Sequence, residues 1–247
     1  MEKNNGLYYK VVSFVGKNVI GGLEKLISAA TKQPAVLNPA QFDWVPAIES
    51  NYEAIKAEYL AISKPGLTHD ISEISAEQQK VVDEAQWRFF PLYIYGVPLN
   101  DNIALCPQTN QLLKNIPNVT TAFFSILSSD TVVKEHRGAF NGYLRFHLGV
   151  DIPADYENCG IRILNDTYHW QNGKSLIFDD TFLHSAWNKS SQKRAVLYVD
   201  FIRPMPGPLV WISLLLTRLI RVSPYIQNVL KNLKQKTATK DIQQVLG

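Results

Sequence analysis

The chain has 247 residues, of which 46 % are hydrophobic and 19 % charged, and carries a formal net charge of +3. That balance suits a soluble globular fold of one large or two small domains, and so small a positive charge leaves no electrostatic footprint for nucleic acid. The two cysteines, Cys106 and Cys159, have no Cys-x-x-Cys spacing, so neither a zinc site nor a disulfide framework is expected. The start lacks a secretory signal's long apolar run, and no stretch has the ~20 apolar residues of a membrane span. A reducing, cytoplasmic location is therefore expected.

In chain order, residues 7–31 carry apolar side chains at roughly helical spacing, interrupted by Gly21-Gly22, and read as helix. Pro34 and Pro39 mark a connector. Residues 45–62 (VPAIESNYEAIKAEYLAI) repeat apolar positions every three or four residues, as an amphipathic helix does. Ala76–Trp87 reads as helix, and RFFPLYIYGV (88–97) as an edge or interrupted strand because of Pro91. CPQTNQLLKNIPNV (106–119) reads as a capped short helix with Thr109 at the cap.

After Val119 the pattern changes. TAFFSIL, GYLRFHLGVDIP, CGIRIL, SLIFDD, HSAWN and RAVLYVDFI are short strand-like runs separated by turn residues. Six such runs in about eighty residues predict a compact sandwich or barrel, with the jelly roll on that menu. Beyond Pro208 the helical period returns in LVWISLLLTRLIRVSPYIQNVLKNL. The expected organisation is a helical region at 1–100 packing on the core, a β core at 101–206, and an amphipathic helical tail at 207–247.

Alternation along GYLRFHLGV puts Tyr143, Arg145 and His147 on one face of a strand and Leu144, Phe146 and Leu148 on the other. His136 lies shortly before, and IFDDTFLHSAW brings Asp179, Asp180 and His184 near another strand end, with Arg194 ten residues on. Any one of these residues alone reads as an ordinary strand or surface side chain. Together, two histidines flanking a small barrel, a third histidine and two arginines suit Fe(II) and a dicarboxylate cosubstrate. Imidazole suits that metal, and the guanidinium fork matches a carboxylate. Iron oxygenases often offer His-x-Asp, yet two residues after His136 stands Gly138.

The blocks "CPQT…IPNV", "AFFSIL", "HRGAFNGYLRFHLG", "WQNGKSLIFDDTFLHSAWN" and "RAVLYVDFIRP" resemble the aspartyl/asparaginyl β-hydroxylase family of Fe(II)- and 2-oxoglutarate-dependent dioxygenases, over roughly two-fifths of the chain. The resemblance implies a double-stranded β-helix, a cupin-like jelly roll that is mainly β, with N-terminal and C-terminal helical flanks. It implies that His136 and His184 bind iron and that Ser125, Arg145, His147 and Arg194 hold 2-oxoglutarate. Arg145 and His147 would take the metal-chelating carboxylate and Arg194 the distal one. A glycine in the carboxylate's place fits the peptide-hydroxylating branch, with Asp179 or Asp180 helping through bound water from a second shell. The implied reaction uses O2 and oxidatively decarboxylates 2-oxoglutarate while hydroxylating an unactivated C–H bond.

The apolar, basic tail looks more like that of the bacterial relatives that hydroxylate fatty acyl chains of lipid A or ornithine lipids. The expected substrate is therefore a membrane-lipid acyl chain, with peripheral association on the inner membrane face through the C-terminal helix. Packing of that helix on the core is the competing expectation. An aspartyl or asparaginyl residue in a peptide is the alternative substrate, and a metal-free binding module is a second alternative function.

Overall fold

The computed structural model describes residues 20–31, 34–64, 66–71, 81–82 and 86–239. Two antiparallel sheets face each other. The larger holds eight strands: β1 (Val36–Leu37), β2 (His69–Asp70), β3 (Trp87–Ile94), β4 (Val97–Pro98), β5 (Val119–Leu127), β7 (Tyr143–Asp151), β10 (Ser175–Phe178) and β12 (Arg194–Ile202). Their order is β1-β10-β7-β12-β5-β3-β2, with β4 paired to β3. The smaller is ordered β6-β11-β8-β9, from β6 (Thr131–His136), β8 (Cys159–Ile163), β9 (Asp166–His169) and β11 (His184–Asn188). This is the expected mainly β jelly roll with helical flanks.

Period-two alternation decides which side chains face the gap. Along β7, Leu144, Phe146 and Leu148 enter the main core, as do Leu197, Val199 and Phe201 of β12 and Ala122, Phe124 and Ile126 of β5. That outer face is covered by α2 (Val45–Ser50) and α3 (Tyr52–Ile62), through Ile48, Ile55, Tyr59 and Ile62. The intervening residues Arg145, His147, Ser125, Arg194 and Tyr198 line the space between the sheets. At roughly 1.5–3 kcal/mol for each large buried side chain, the apolar face fixes the register that aims the polar one inward.

Several elements differ from the sequence expectation. The amphipathic stretch 45–62 is two helices, parted at Asn51, whose side-chain amide donates to the Ala47 carbonyl at 2.8 Å. The large sheet draws β1 to β4 from before residue 100, so the first hundred residues supply strands as well as helices. The helix expected at 76–87 lies mostly outside the described residues, and Trp87 opens β3. Pro91 does interrupt β3: the register with β5 shifts between Pro91 and Tyr93. After α4 (Asn100–Ala104), the next helix, α5 (Pro107–Leu113), is capped at Cys106 rather than Thr109. Pro107 starts it, and the free amides of Gln108 and Thr109 donate to the Glu58 carboxylate at 2.7 and 2.9 Å, so α3 supplies the cap.

Of the N-terminal helix expected at 7–31, residues 20–31 form α1, straight through Gly21-Gly22; 1–19 lie outside the described residues. Leu23 and Ile27 pack on Phe140. The C-terminal pattern forms α6 (Gly207–Arg221) and α7 (Pro224–Thr239), bent by 66° at the break before Pro224. Ile226, Val229, Leu230 and Leu233 of α7 are buried in the core, so this helix packs on the sandwich. Among the described residues no single helix is long and apolar enough to cross a membrane.

Candidate active site

His136 and His184 sit directly opposite each other on adjacent strands β6 and β11, with ring centroids 4.3 Å apart. Each ring is anchored in the same way. His136 Nδ1 lies 2.8 Å from the Lys134 carbonyl, and His184 Nδ1 lies 2.8 Å from the Phe182 carbonyl. A carbonyl only accepts, so Nδ1 carries the proton and Nε2 keeps its lone pair. Burial holds both imidazoles neutral: it lowers His136, and with the neighbouring His136 and Arg145 it takes His184 down to about 3. Two neutral, oriented imidazoles are a donor pair suited to a first-row divalent metal.

Among the described residues no group of three His, Cys, Asp or Glu side chains is placed to hold a metal. The position a third chain ligand would occupy is filled from elsewhere. A Cβ on Gly138 would fall 2.2 Å from Asp180 Cγ, and the Gly138 amide donates to the Asp180 carbonyl at 2.7 Å. The Asp180 carboxylate thus stands where a side chain at 138 would stand, and Arg145 Nη2 binds it at 2.7 Å. Burial, with Asp200 and Asp179 nearby, outweighs Arg145 and pushes the Asp180 carboxyl up to about 6.

Behind the histidines a narrow inner cavity is lined by Ser125, His147, Arg194, Trp87, Trp170 and Phe178, without a carboxylate. Several of its polar atoms are buried and have no partner: both ring nitrogens of His147, Nε and Nη1 of Arg194, and the Trp170 indole nitrogen. Arg194 lies 4.1 Å over the Trp170 ring, and burial pulls its guanidinium down to about 10, which leaves it charged at neutral pH. Ser125 Oγ accepts from the Trp87 indole at 2.9 Å, so its own proton is free to point elsewhere. A buried cation without a counter-ion is costly. The cavity is therefore built to be completed by an anion.

Arg145 borders this cavity but is already engaged. Its Nε and Nη2 bind Asp200 at 2.9 and 3.1 Å, Nη2 also meets Asp180, and the guanidinium lies 4.3 Å over Tyr198. Asp179 is not brought to the site: its carboxylate pairs with Arg203 and accepts from Thr181. Of the two aspartates expected in support, Asp180 alone lines a cavity.

Four residues of the site escaped sequence reasoning: Trp87, Trp170, Tyr198 and Asp200. The period-two rule that was applied to β7 would have found the last two had it been applied to β12, because Arg194, Tyr198 and Asp200 share one face of that strand. The apolar run AVLYV concealed it.

A second, larger cavity of about 280 Å³ opens on the outer side. His136, Arg145, Asp180 and Asp200 line it, and apolar wall comes from Ile94, Phe123, Phe140, Ile220, Ile226 and Val229. The last three belong to the C-terminal segment, Ile220 to α6 and Ile226 and Val229 to α7. His136, Arg145 and Tyr198 border both cavities.

The chain is similar to the ornithine lipid ester-linked acyl 2-hydroxylase of Rhizobium tropici, with 37 % identity over 203 residues, covering 82 % of this chain and 72 % of that protein. It is 34 % identical over 171 residues to human aspartyl/asparaginyl beta-hydroxylase, covering 66 % of this chain but only 22 % of the human one. Among solved structures, a Pseudomonas putida prolyl-4-hydroxylase aligns over 68 % of this chain and 89 % of its own, with a TM-score of 0.39 and 14 % identity. The family model for Aspartyl/Asparaginyl beta-hydroxylase matches residues 49–204, which run from the end of α2 past the last strand of the sandwich. Because that match takes in both histidine strands and most of both sheets, the chain belongs to the aspartyl/asparaginyl beta-hydroxylase family.

Proposed function

We propose that the protein is an Fe(II)- and 2-oxoglutarate-dependent dioxygenase that hydroxylates an unactivated C–H bond in the acyl chain of a membrane lipid, working at the cytoplasmic side of the membrane. One observation carries the proposal. Two anchored, neutral histidines stand at the mouth of a cavity in which Arg194 Nε and Nη1 and both His147 ring nitrogens are buried without hydrogen-bond partners. A dicarboxylate beside a divalent metal would satisfy both halves of that arrangement.

In this reading His136 and His184 hold Fe(II) through Nε2. When bound, the metal and 2-oxoglutarate supply O2 activation, with oxidative decarboxylation of the cosubstrate. The chain's own residues do the rest. Arg194 and the Ser125 hydroxyl take the distal carboxylate, and Trp87, by donating to Ser125, keeps that hydroxyl proton aimed away from itself. His147 serves the metal-proximal carboxylate. Arg145 shares that role, its five N–H donors exceeding what Asp200 and Asp180 accept. Asp180 supplies negative charge near the metal from the space that Gly138 leaves open. The two flanking indoles and Phe178 exclude water.

The outer cavity favours an acyl substrate over an aspartyl one. Much of its wall is apolar, and its charged lining balances, Arg137 and Arg145 against Asp180 and Asp200, so it offers an acyl chain more contact than it offers a further carboxylate. The similar Rhizobium tropici protein is named for acyl hydroxylation. Contact with the bilayer through the C-terminal helices completes the reading.

Anaerobic titration with Fe(II) and 2-oxoglutarate tests it. A weak visible charge-transfer band should appear in the native protein and be absent from a His184→Ala variant. Folded native protein that gives no band would remove the oxygenase reading in favour of a metal-free binding module.

A further inference from the structure

α6 has two faces, and one of them is unexplained by the fold. Inward, Ser213 and Thr217 are buried, Thr217 Oγ1 bonds the Tyr143 hydroxyl at 2.8 Å, and Leu209 and Leu216 pack toward Phe140. Outward, Trp211, Ile212, Leu215 and Leu219, followed by Val222 just past the helix, are 68, 42, 54, 56 and 63 % exposed. Their spacing of 1, 4, 8 and 11 residues from Trp211 places them on one stripe, about 16 Å long at the helical rise. The core beneath is complete without them, since Ile226, Val229, Leu230 and Leu233 of α7 close it. A contiguous apolar patch of large side chains on a monomer's surface marks a contact.

Charge selects the occupant. No Asp or Glu occurs anywhere in residues 207–239, whereas Arg218, Arg221 and Lys231 do, and Lys234 and Lys236 follow in the sequence. Arg218 is exposed and Arg221 half-buried, both at the end of the stripe. Against a second copy related by a twofold axis, the same patch would meet itself, and neither helix carries a carboxylate to pair the other's arginines. Against an anionic bilayer, the same side chains bury their stripe among acyl chains and set the arginines at the headgroups. Ile220, between Leu219 and Arg221, turns the other way and lines the outer cavity with Ile226 and Val229.

We infer that the outward face of α6 seats on an anionic lipid surface and that an acyl chain passes from that surface along the α6–α7 wall into the outer cavity. The seating stands on the stripe and the basic charge beside it; the route rests on the acyl-hydroxylase reading above. An exposed helix face of this kind binds in the interface plane without spanning it.

The test uses the full chain and flotation with phosphatidylcholine vesicles made with and without phosphatidylglycerol, comparing native protein with Leu215→Glu/Leu219→Glu. Both positions are exposed, so folding is preserved, which the iron and 2-oxoglutarate charge-transfer band reports independently. The native protein should float with the anionic vesicles, and retention should fall roughly 10-fold or more in the variant, with the band unchanged. Native protein that stays unbound, or a variant that floats as well as native, would overturn the seating. So would a native dimer that the double substitution dissociates, which would make the stripe an interface between copies. If seating holds, hydroxylation of vesicle lipid should be lost in the variant while a dispersed short-chain acyl substrate is still turned over. Equal loss on both substrates would overturn the route. An absent charge-transfer band with vesicle binding intact would sink the enzymatic reading and leave the seating in place.

Discussion

Replacing Gly138 by alanine adds one methyl group where Asp180 already is. The new Cβ would lie 2.2 Å from Asp180 Cγ and 2.2 and 2.3 Å from its two oxygens, against roughly 3.5 Å for ordinary contact. The carboxylate must therefore retreat by more than an ångström. It has little room to do so: Asp180 is 8 % exposed, its carboxylate is bound by Arg145 at 2.7 Å, and its carbonyl accepts from the Gly138 amide. Overpacking alone costs about 1–3 kcal/mol, and breaking a buried ion pair costs about 3–5 kcal/mol when a partner is left unpaired. Arg145 keeps Asp200, which places the expected loss near the overlap, at about 3 kcal/mol. For a chain of this size that lowers the melting temperature by roughly 6–12 °C. Calorimetry of the metal-free protein measures it, and Gly22→Ala is the control. Gly22 lies in a helix with nothing within 4 Å of its Cβ position, so the same substitution there should stabilise by about 0.5–1 kcal/mol. Adding Asp180→Gly to Gly138→Ala removes the clash and should recover about 2 kcal/mol relative to additivity. A Gly138→Ala protein as stable as the native one, or a strictly additive double variant, would refute the claim that Asp180 occupies the side-chain space of residue 138.

Arg194→Met should raise the half-saturating concentration of 2-oxoglutarate by roughly 100-fold, as loss of a charge-assisted pair requires, while leaving the cosubstrate-free protein as stable or more so, because an unpaired buried cation is removed; a marked loss of stability would show that Arg194 is already paired. In the metal-free protein His147 and His184 are held below an ordinary imidazole, His184 at about 3, so below about pH 6.5 they bind more protons in the unfolded chain and stability should fall by about 1.4 kcal/mol per pH unit per histidine, with no contribution from them above that pH; Asp180, raised to about 6, offsets one histidine's share below pH 6 and leaves a net fall. Urea titrations from pH 8 to 5 check this, and a flat profile would contradict it. Leu164 is 45 % exposed and sits at φ +55° in the β8–β9 turn, so Leu164→Asn should stabilise by about 1 kcal/mol without altering the charge-transfer band; a destabilised variant would mean the leucine's contacts outweigh its backbone strain.

What the sequence showed and what it concealed have physical causes. Strands such as HSAWN and RAVLYVDFI were legible because each is bounded by turn residues and is long enough to alternate. β6 was not seen as a strand: in TVVKEH only Thr131 and Val133 are buried, and Val132 is half exposed, so the segment carries too little apolar signal. His136 was nonetheless found, through its block of neighbours rather than through its strand. Asp179 and Asp180 are adjacent and chemically alike, and only the backbone turn at Asp179–Phe182 sends one to Arg203 and the other to Arg145. The cap of α5 is 51 residues away in sequence from the amide it serves, beyond any local pattern.

The two cavities on either side of His136 and Arg145 differ in charge, and that difference orients whatever binds. The inner one holds Arg194 with no acidic lining residue; the outer one sets Asp180 and Asp200 against Arg137 and Arg145 beside a largely apolar wall. A dianion therefore gains on the inner side and finds no net attraction on the outer, whereas an uncharged chain needs the larger space outside. Arg145 sits on the boundary, and its two aspartates keep its positive charge from reaching the outer cavity uncompensated. Gly138 is what allows this division. A carboxylate attached at 138 would leave no space for Asp180, and Arg145 would lose the partner that screens it on the outer side. The glycine and the aspartate are one device: they keep a negative charge beside the histidines while tying it to the arginine that stands between the two cavities.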